Sequence, residues 1–220
     1  MTIKNYIFFS IISLGIVINA FSQVKQINSE DYYQPIREYY KKRNEVSHRI
    51  ITKKEYYKDG KLSRMVEIID EFLKPDRNHY LEREKTGDRV SESELIKVGE
   101  IYYCRRNKGE WKQSSSWCAG GGIGGLSNIV SSKFTVEIVE MNNQTAKLYQ
   151  QYTTYKNIHS PDKDKEGLSY FHSKYWINDE GFILRKEAKS GLLEPERIYS
   201  QEVELYEYNP KNLKIETPIK

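Results

Sequence analysis

Apolar and polar residues alternate along most of this chain with the period of two that belongs to β-strands. The pattern is clearest over residues 168–189. There an aromatic and β-branched run (Tyr170, Phe171, Tyr175, Trp176, Ile177) meets Phe182-Ile183-Leu184 across Asn178-Asp179-Glu180-Gly181. Gly181 is free to take the positive φ that such a turn needs. The second arm passes into alternating charges at Arg185, Lys186 and Glu187, which reads as a charged edge. Residues 46–58 and 61–73 repeat the recipe across Lys58-Asp59-Gly60-Lys61, a strong hairpin signal. Shorter strands are expected at 79–85, 95–98, 101–106 and 110–112. Further strands are expected at 134–138 and 146–155, around a turn at 141–144, and 197–208 is the last long one. Asn209-Pro210 breaks it.

One segment departs from that period. Tyr32, Tyr33, Ile36, Tyr39 and Tyr40 recur at helical spacing, behind Ser29 as N-cap and with Glu30 and Asp31 in the first turn. Lys41-Lys42-Arg43 suit the carbonyl end. Pro35 predicts a late start or a kink. Such a stripe packs against a sheet.

Residues 114–132 are rich in Ser and Gly. A phosphate-binding loop would need Lys and Ser/Thr after Gly125, and a dinucleotide site would need a βαβ unit; neither is present. The segment reads as a flap tied at Cys118, with a short helix over 126–133. The tally is one helix and about nine to eleven strands in sequential hairpins. This predicts a mainly β (α+β) chain with a mainly antiparallel sheet that is either covered on both sides or curved around something.

The first residues change the picture of address. Lys4 and the apolar run over 6–18 read as a signal peptide, with Ala20-Phe21-Ser22 at the cleavage site and Gln23 as the first mature residue. The run is short for a bilayer span. No cysteine lies near, so a lipobox is missing. Residues 1–22 are thus expected to be a leader and 23–220 one exported, soluble domain, periplasmic or extracellular. The charge balance is close to even, +4 for the whole chain. No basic block reads as a nucleic-acid patch. No other apolar run could cross a membrane. Cys104 and Cys118 are expected to form a disulfide in an oxidising compartment; two free thiols are the alternative. Without a histidine nearby they make a poor metal site.

Candidate chemistry is sparse. His48, His79, His159 and His172 form no ligand-spaced pattern, and strand histidines are more often polar sheet-face residues than ligands. No G-x-S-x-G elbow supports a serine triad. Asp70-Glu71 and Asp179-Glu180 are neighbours on strands or turns and make no acid–base dyad. The 18 tyrosines fit half-buried pleats and also line amphiphile or sugar sites.

Val98-Gly99-Glu100-Ile101-Tyr102-Tyr103 with Gly109-Glu110-Trp111, residues 175–185, and Tyr206-Glu207-Tyr208-Asn209-Pro210 together resemble the LolA/LolB-like superfamily of exported bacterial proteins. The resemblance covers most of residues 46–219. It implies a strongly curved, unclosed antiparallel half-barrel whose concave face is covered by the N-terminal helix and by a short helix or flap, and whose hollow takes acyl chains. The cysteine pair, the Gly-rich flap and the tyrosine richness depart from that pattern. The leading expectation is a non-enzymatic binding protein that holds a lipid, a lipoprotein acyl chain or another amphiphile. Tyr102, Trp117, Tyr170 and Trp176 are the candidate lining, with no cofactor and no metal. The alternatives are an envelope interaction or structural module with a filled core, partnered by another envelope protein, and, more remotely, a hydrolase.

Overall fold

The computed structural model describes residues 23–115, 127–157 and 168–219. The chain runs through β1 (Lys25–Ile27), α1 (Ser29–Lys42), a 3₁₀ turn (Arg43–Glu45), β2 (His48–Lys58), β3 (Lys61–Leu73) and β4 (Arg77–Thr86). It continues through β5 (Arg89–Val98), β6 (Ile101–Arg106), β7 (Lys112–Ser114), β8 (Ser127–Met141) and β9 (Gln144–Asn157). It ends with β10 (Leu168–Asn178), β11 (Ile183–Leu192) and β12 (Arg197–Tyr208). All twelve strands share one antiparallel sheet, ordered β1-β8-β9-β10-β11-β12-β2-β3-β4-β5-β6-β7. The two meanders, β2–β7 and β8–β12, join where β12 pairs with β2. The sheet does not close: β1 and β7 are its two edges. This is the expected unclosed half-barrel, with the three-residue β1 added. Among the described residues no helix is long and apolar enough to cross a membrane.

Helix α1 lies against one face of β8–β12. Asn28, not Ser29, is the N-cap: its side-chain oxygen accepts from the Asp31 backbone N–H at 2.8 Å. The helix runs unbroken through Pro35. Its stripe is placed as the spacing predicts. Tyr32, Ile36 and Tyr39 are buried with Ile177 and Ile183, among Phe134, Tyr175, Tyr206 and Tyr208. Burial of a large apolar side chain gains roughly 1.5–3 kcal/mol. That outweighs propensity differences within a 14-residue helix, which are tenths of a kcal/mol per residue.

Three expectations are corrected. Residues 127–133 are not a helix but the start of β8, which pairs with β9 from Ser127↔Asn157 onward. Its Ile129-Val130 suit a pleat, and the ladder decides. The strand expected at 95–98 is longer: the polar run at 89–94 extends β5 to ten residues, because Ser91, Glu92, Ser93 and Glu94 pair along β4. The charges of β11 are not at an edge. β11 lies between β10 and β12, and its charges are absorbed by cross-strand partners.

Candidate functional site

The sheet pleat sorts side chains onto two faces, and α1 marks one of them. Tyr32 Oη lies 2.8 Å from Ser173 Oγ, and its ring centroid is 6.3 Å from that of Tyr175. Ser173 and Tyr175 therefore face the helix. Register carries that face outward through Gln151 and Tyr149 on β9 to Phe134 and Val136 on β8. In the other direction it passes Lys186 on β11, Glu204 on β12 and Thr52 on β2.

Two of the expected lining residues fall on the opposite face. Tyr170 and Trp176 sit out of phase with Ser173 and Tyr175. Tyr170 stacks on Tyr152 at 5.9 Å, and Trp176 carries the Arg185 guanidinium at 5.6 Å. A period-2 strand cannot turn both Tyr175 and Trp176 to one hollow. Tyr102 is on the helix face by register, far along the sheet on β6, with Lys97 Nζ 5.6 Å from its ring centroid. Trp117 and Cys118 lie outside the described residues, as does Ser22; Gln23 and Cys104 are described. Cys104 sits on β6 between Leu95 and Lys112.

Beneath the helix the space is filled by the aromatic stripe. Open volume lies beside it, at the two edges of the sheet. At the β1 edge a cavity of about 530 Å³ is lined, among the described residues, by Val136, Ile138 and Tyr149, with Lys25, Lys147 and Gln23 around them. This is within the roughly 300–1,000 Å³ of small-molecule sites. Glu137 also borders it, but its carboxylate accepts from Gln150 Nε2 at 3.1 Å. Lys25 and Lys147 have no ion-pair partner among the described residues. Burial, helped by Asp31, raises the Tyr149 hydroxyl above its ordinary value, so it stays neutral. A second cavity of about 490 Å³ lies at the β6–β7 edge, against Cys104, Arg106, Glu110, Lys112 and Ser114.

Two ionic clusters are the other candidates for chemistry. On the helix face Lys186 Nζ is 2.6 Å from Glu202 Oε1 and 2.8 Å from Glu204 Oε1. Lys54 also reaches Glu202 (2.9 Å), and Tyr206 Oη donates to Glu204. Burial opposes the charge on Lys186, but the two carboxylates outweigh it and hold the ammonium above its ordinary value. Burial raises Glu202, and its hydrogen bond with Glu204, together with the Lys186 and Lys54 ammonium groups, more than reverses that. Each charge is matched by its neighbours, so the cluster presents no free base or nucleophile.

On the far face a ladder crosses six strands. Glu207 and Glu71 hold Arg49 at 3.0 and 2.6 Å. Glu71 and Glu94 hold His79 Nδ1 and Nε2 at 2.8 and 2.9 Å, and Arg105 Nε reaches Glu94 at 2.6 Å. His79 is thus a salt-bridged sheet-face residue. Among the described residues no group of three or more His, Cys, Asp or Glu side chains could hold a metal ion.

No protein-family description and no curated protein matches the chain. Among solved structures it is similar to the lipoprotein LppX of Mycobacterium tuberculosis, at 10% identity over 86% of this chain and 100% of that one, TM-score 0.43. It is similar to LprF of Mycobacterium bovis, at 9% identity over 87% and 99%, TM-score 0.43. It is also similar to a Vibrio parahaemolyticus domain provisionally assigned as an outer membrane lipoprotein-sorting protein, at 10% identity over 85% and 95%, TM-score 0.30. These likenesses are too remote to transfer a residue role or a ligand.

The sequence did not single out Val136, Ile138, Tyr149, Lys25 or Lys147. The alternation through 134–138 held part of the signal, since it gave Val136 and Ile138 a common face. It could not show that a strand as short as β1 would wall that face.

Proposed function

We propose that this is a non-enzymatic, exported binding protein that holds an amphiphile at the open edge of the half-barrel. The observation that carries this is the cavity at the β1 edge: an apolar floor of Val136, Ile138 and Tyr149, rimmed by two lysines without carboxylate partners among the described residues. An acyl chain on that floor gains about 0.8 kcal/mol per buried CH₂. Transport or storage then needs no catalytic group. Residues 1–22 act as a leader cleaved before Gln23, and Cys104 pairs with Cys118 as the exported compartment oxidises them.

A second reading is an envelope interaction module whose hollow is filled by its own side chains. The solid packing of Tyr32, Ile36 and Tyr39 beneath the helix favours it.

Native mass spectrometry with lipid extraction, on protein from Gln23 onward purified from an exporting host, separates the two. The binding reading expects a co-purified acyl-chain species that is lost in Ile138→Glu, with circular dichroism unchanged. A clean apo mass, with no binding to a panel of fatty acids and phospholipids, overturns it in favour of the interaction module.

A further inference from the structure

The hairpin meander sends alternate turns to opposite rims of the sheet, and the two rims differ. One rim carries the tips of β2–β3, β4–β5 and β6–β7. Register across β12, β11, β10 and β9 brings the start of β8 to the same rim. Exposed apolar side chains gather there: Leu62 (54% exposed) beside the first tip, Val90 (59%) beside the second, Ile129 and Val130 (69% and 58%) at the start of β8. Val130 is the residue skipped by the register shift between Ile129 and Ser131.

The same tips are basic. Lys58, Lys61, Lys85, Arg89, Arg106 and Lys108 stand against Asp59, Asp88 and Glu110. Among the described residues none of the six basic side chains has an ion-pair partner. The neighbouring β11–β12 turn adds Glu194, Glu196 and Arg197. The opposite rim is less basic: its turns and the strand ends beside them hold Asp76, Glu100, Asp179 and Glu180 against Lys74 and Arg77, with Lys42 of α1 donating to the Glu180 backbone oxygen.

We infer that the rim bearing Leu62 and Val90 docks on an anionic lipid bilayer. A planar surface touches tips, not strand faces, so isolated apolar residues at successive tips can enter the interface together. Lysines beside them keep their charge at headgroup level while their stems follow the apolar residue inward. Anionic headgroups attract unpaired basic side chains within a Debye length of the surface. A protein partner would be met more readily by a continuous apolar patch, and the tips are separate.

Docking is independent of whether the edge cavity carries a ligand. The test is co-sedimentation of delipidated protein, from Gln23 onward, with phosphatidylcholine vesicles and with phosphatidylcholine/phosphatidylglycerol vesicles. The expected result is partition onto the anionic vesicles alone, weakened by salt. Leu62→Ser/Val90→Ser and Lys58→Glu/Lys61→Glu should each reduce it about tenfold. Ile51→Ser/Leu205→Ser, a cross-strand pair about equally exposed in mid-sheet (47% and 46%), should leave it unchanged. No partition, or equal loss in tip and mid-sheet variants, overturns the inference. A protein that docks but yields no co-purified acyl species defeats the binding proposal while leaving docking intact, and the converse result does the reverse.

Discussion

His79 is the residue whose surroundings constrain it most. Both ring nitrogens meet carboxylates, Glu71 at 2.8 Å and Glu94 at 2.9 Å, and those acids are claimed on their outer sides by Arg49 and Arg105. Two acceptors on one ring require two donors, hence the imidazolium. Burial lowers the His79 pKa, but the hydrogen bonds to Glu71 and Glu94 outweigh it, and the net direction is upward from 6.5. Glu71 moves down from 4.5, chiefly through its bond to His79. A raised native pKa stabilises fully below the unfolded value and fades as pH rises through the native one. A lowered carboxylate pKa stabilises above its unfolded value and fades as pH falls. The ladder is therefore strongest between about pH 4.5 and 6.5. Urea unfolding should show stability declining from pH 6 toward pH 9 on this account. His79→Gln should cost on the order of 1–3 kcal/mol at pH 6 and flatten that decline. An unchanged slope would mean that the ladder is not what titrates.

Among the elements, the hairpin β10–β11 shows what alternation reveals and what it hides. Its turn was legible: Asn178 Oδ1 accepts from the Phe182 N–H at 2.8 Å, and Gly181 takes φ +77° as its position requires. The helix was legible too, because five apolar residues at helical spacing left one face to bury. β5 was not, since a strand paired on both sides tolerates Ser91-Glu92-Ser93-Glu94, whose charges find partners only in three dimensions. Nor was the facing of Trp176: periodicity tells which residues share a side, and only contact with α1 tells which side is covered. Gly191 is another hidden constraint. It sits at a register shift, and an added Cβ would lie 2.0 Å from the Arg197 carbonyl oxygen and 3.0 Å from the Tyr170 ring. At Gly181 the nearest atom to an added Cβ is Lys42 Nζ at 2.8 Å, the far end of a long side chain that can shift, and the cost is mainly the left-handed backbone. Gly181→Ala should thus cost about 1 kcal/mol. Gly191→Ala must push β12 away and should cost about 2–3 kcal/mol, as overpacking does. Thermal unfolding that ranks them the other way would contradict the close approach.

At the scale of the whole molecule, the unclosed antiparallel sheet with a helix across one face is the architecture that the LolA/LolB-like resemblance implies. The candidate site depends on where that sheet ends, which hairpin signals do not reveal. An open sheet must protect its edges, and both edges here are three-residue strands. β1 matters more. It pairs with β8 at Lys25↔Val136, Gln26↔Thr135 and Ile27↔Phe134, and so covers part of the edge of a 15-residue strand. Ile27 also packs against the core under α1, and Lys25 walls the edge cavity. Removing residues 23–27 should bare the middle of β8, whose unpaired N–H and C=O groups would then recruit a second copy. Light scattering after gel filtration should show concentration-dependent dimers or larger species, where the protein from Gln23 onward stays monomeric. The same truncation should abolish acyl-chain binding, since it opens the cavity wall. Ile27→Lys keeps the strand but removes its packing, so it should destabilise without causing self-association. If the truncated chain remains a monomer of unchanged stability, β1 neither guards the edge nor builds the site, and the binding cavity must be sought at the β6–β7 edge instead.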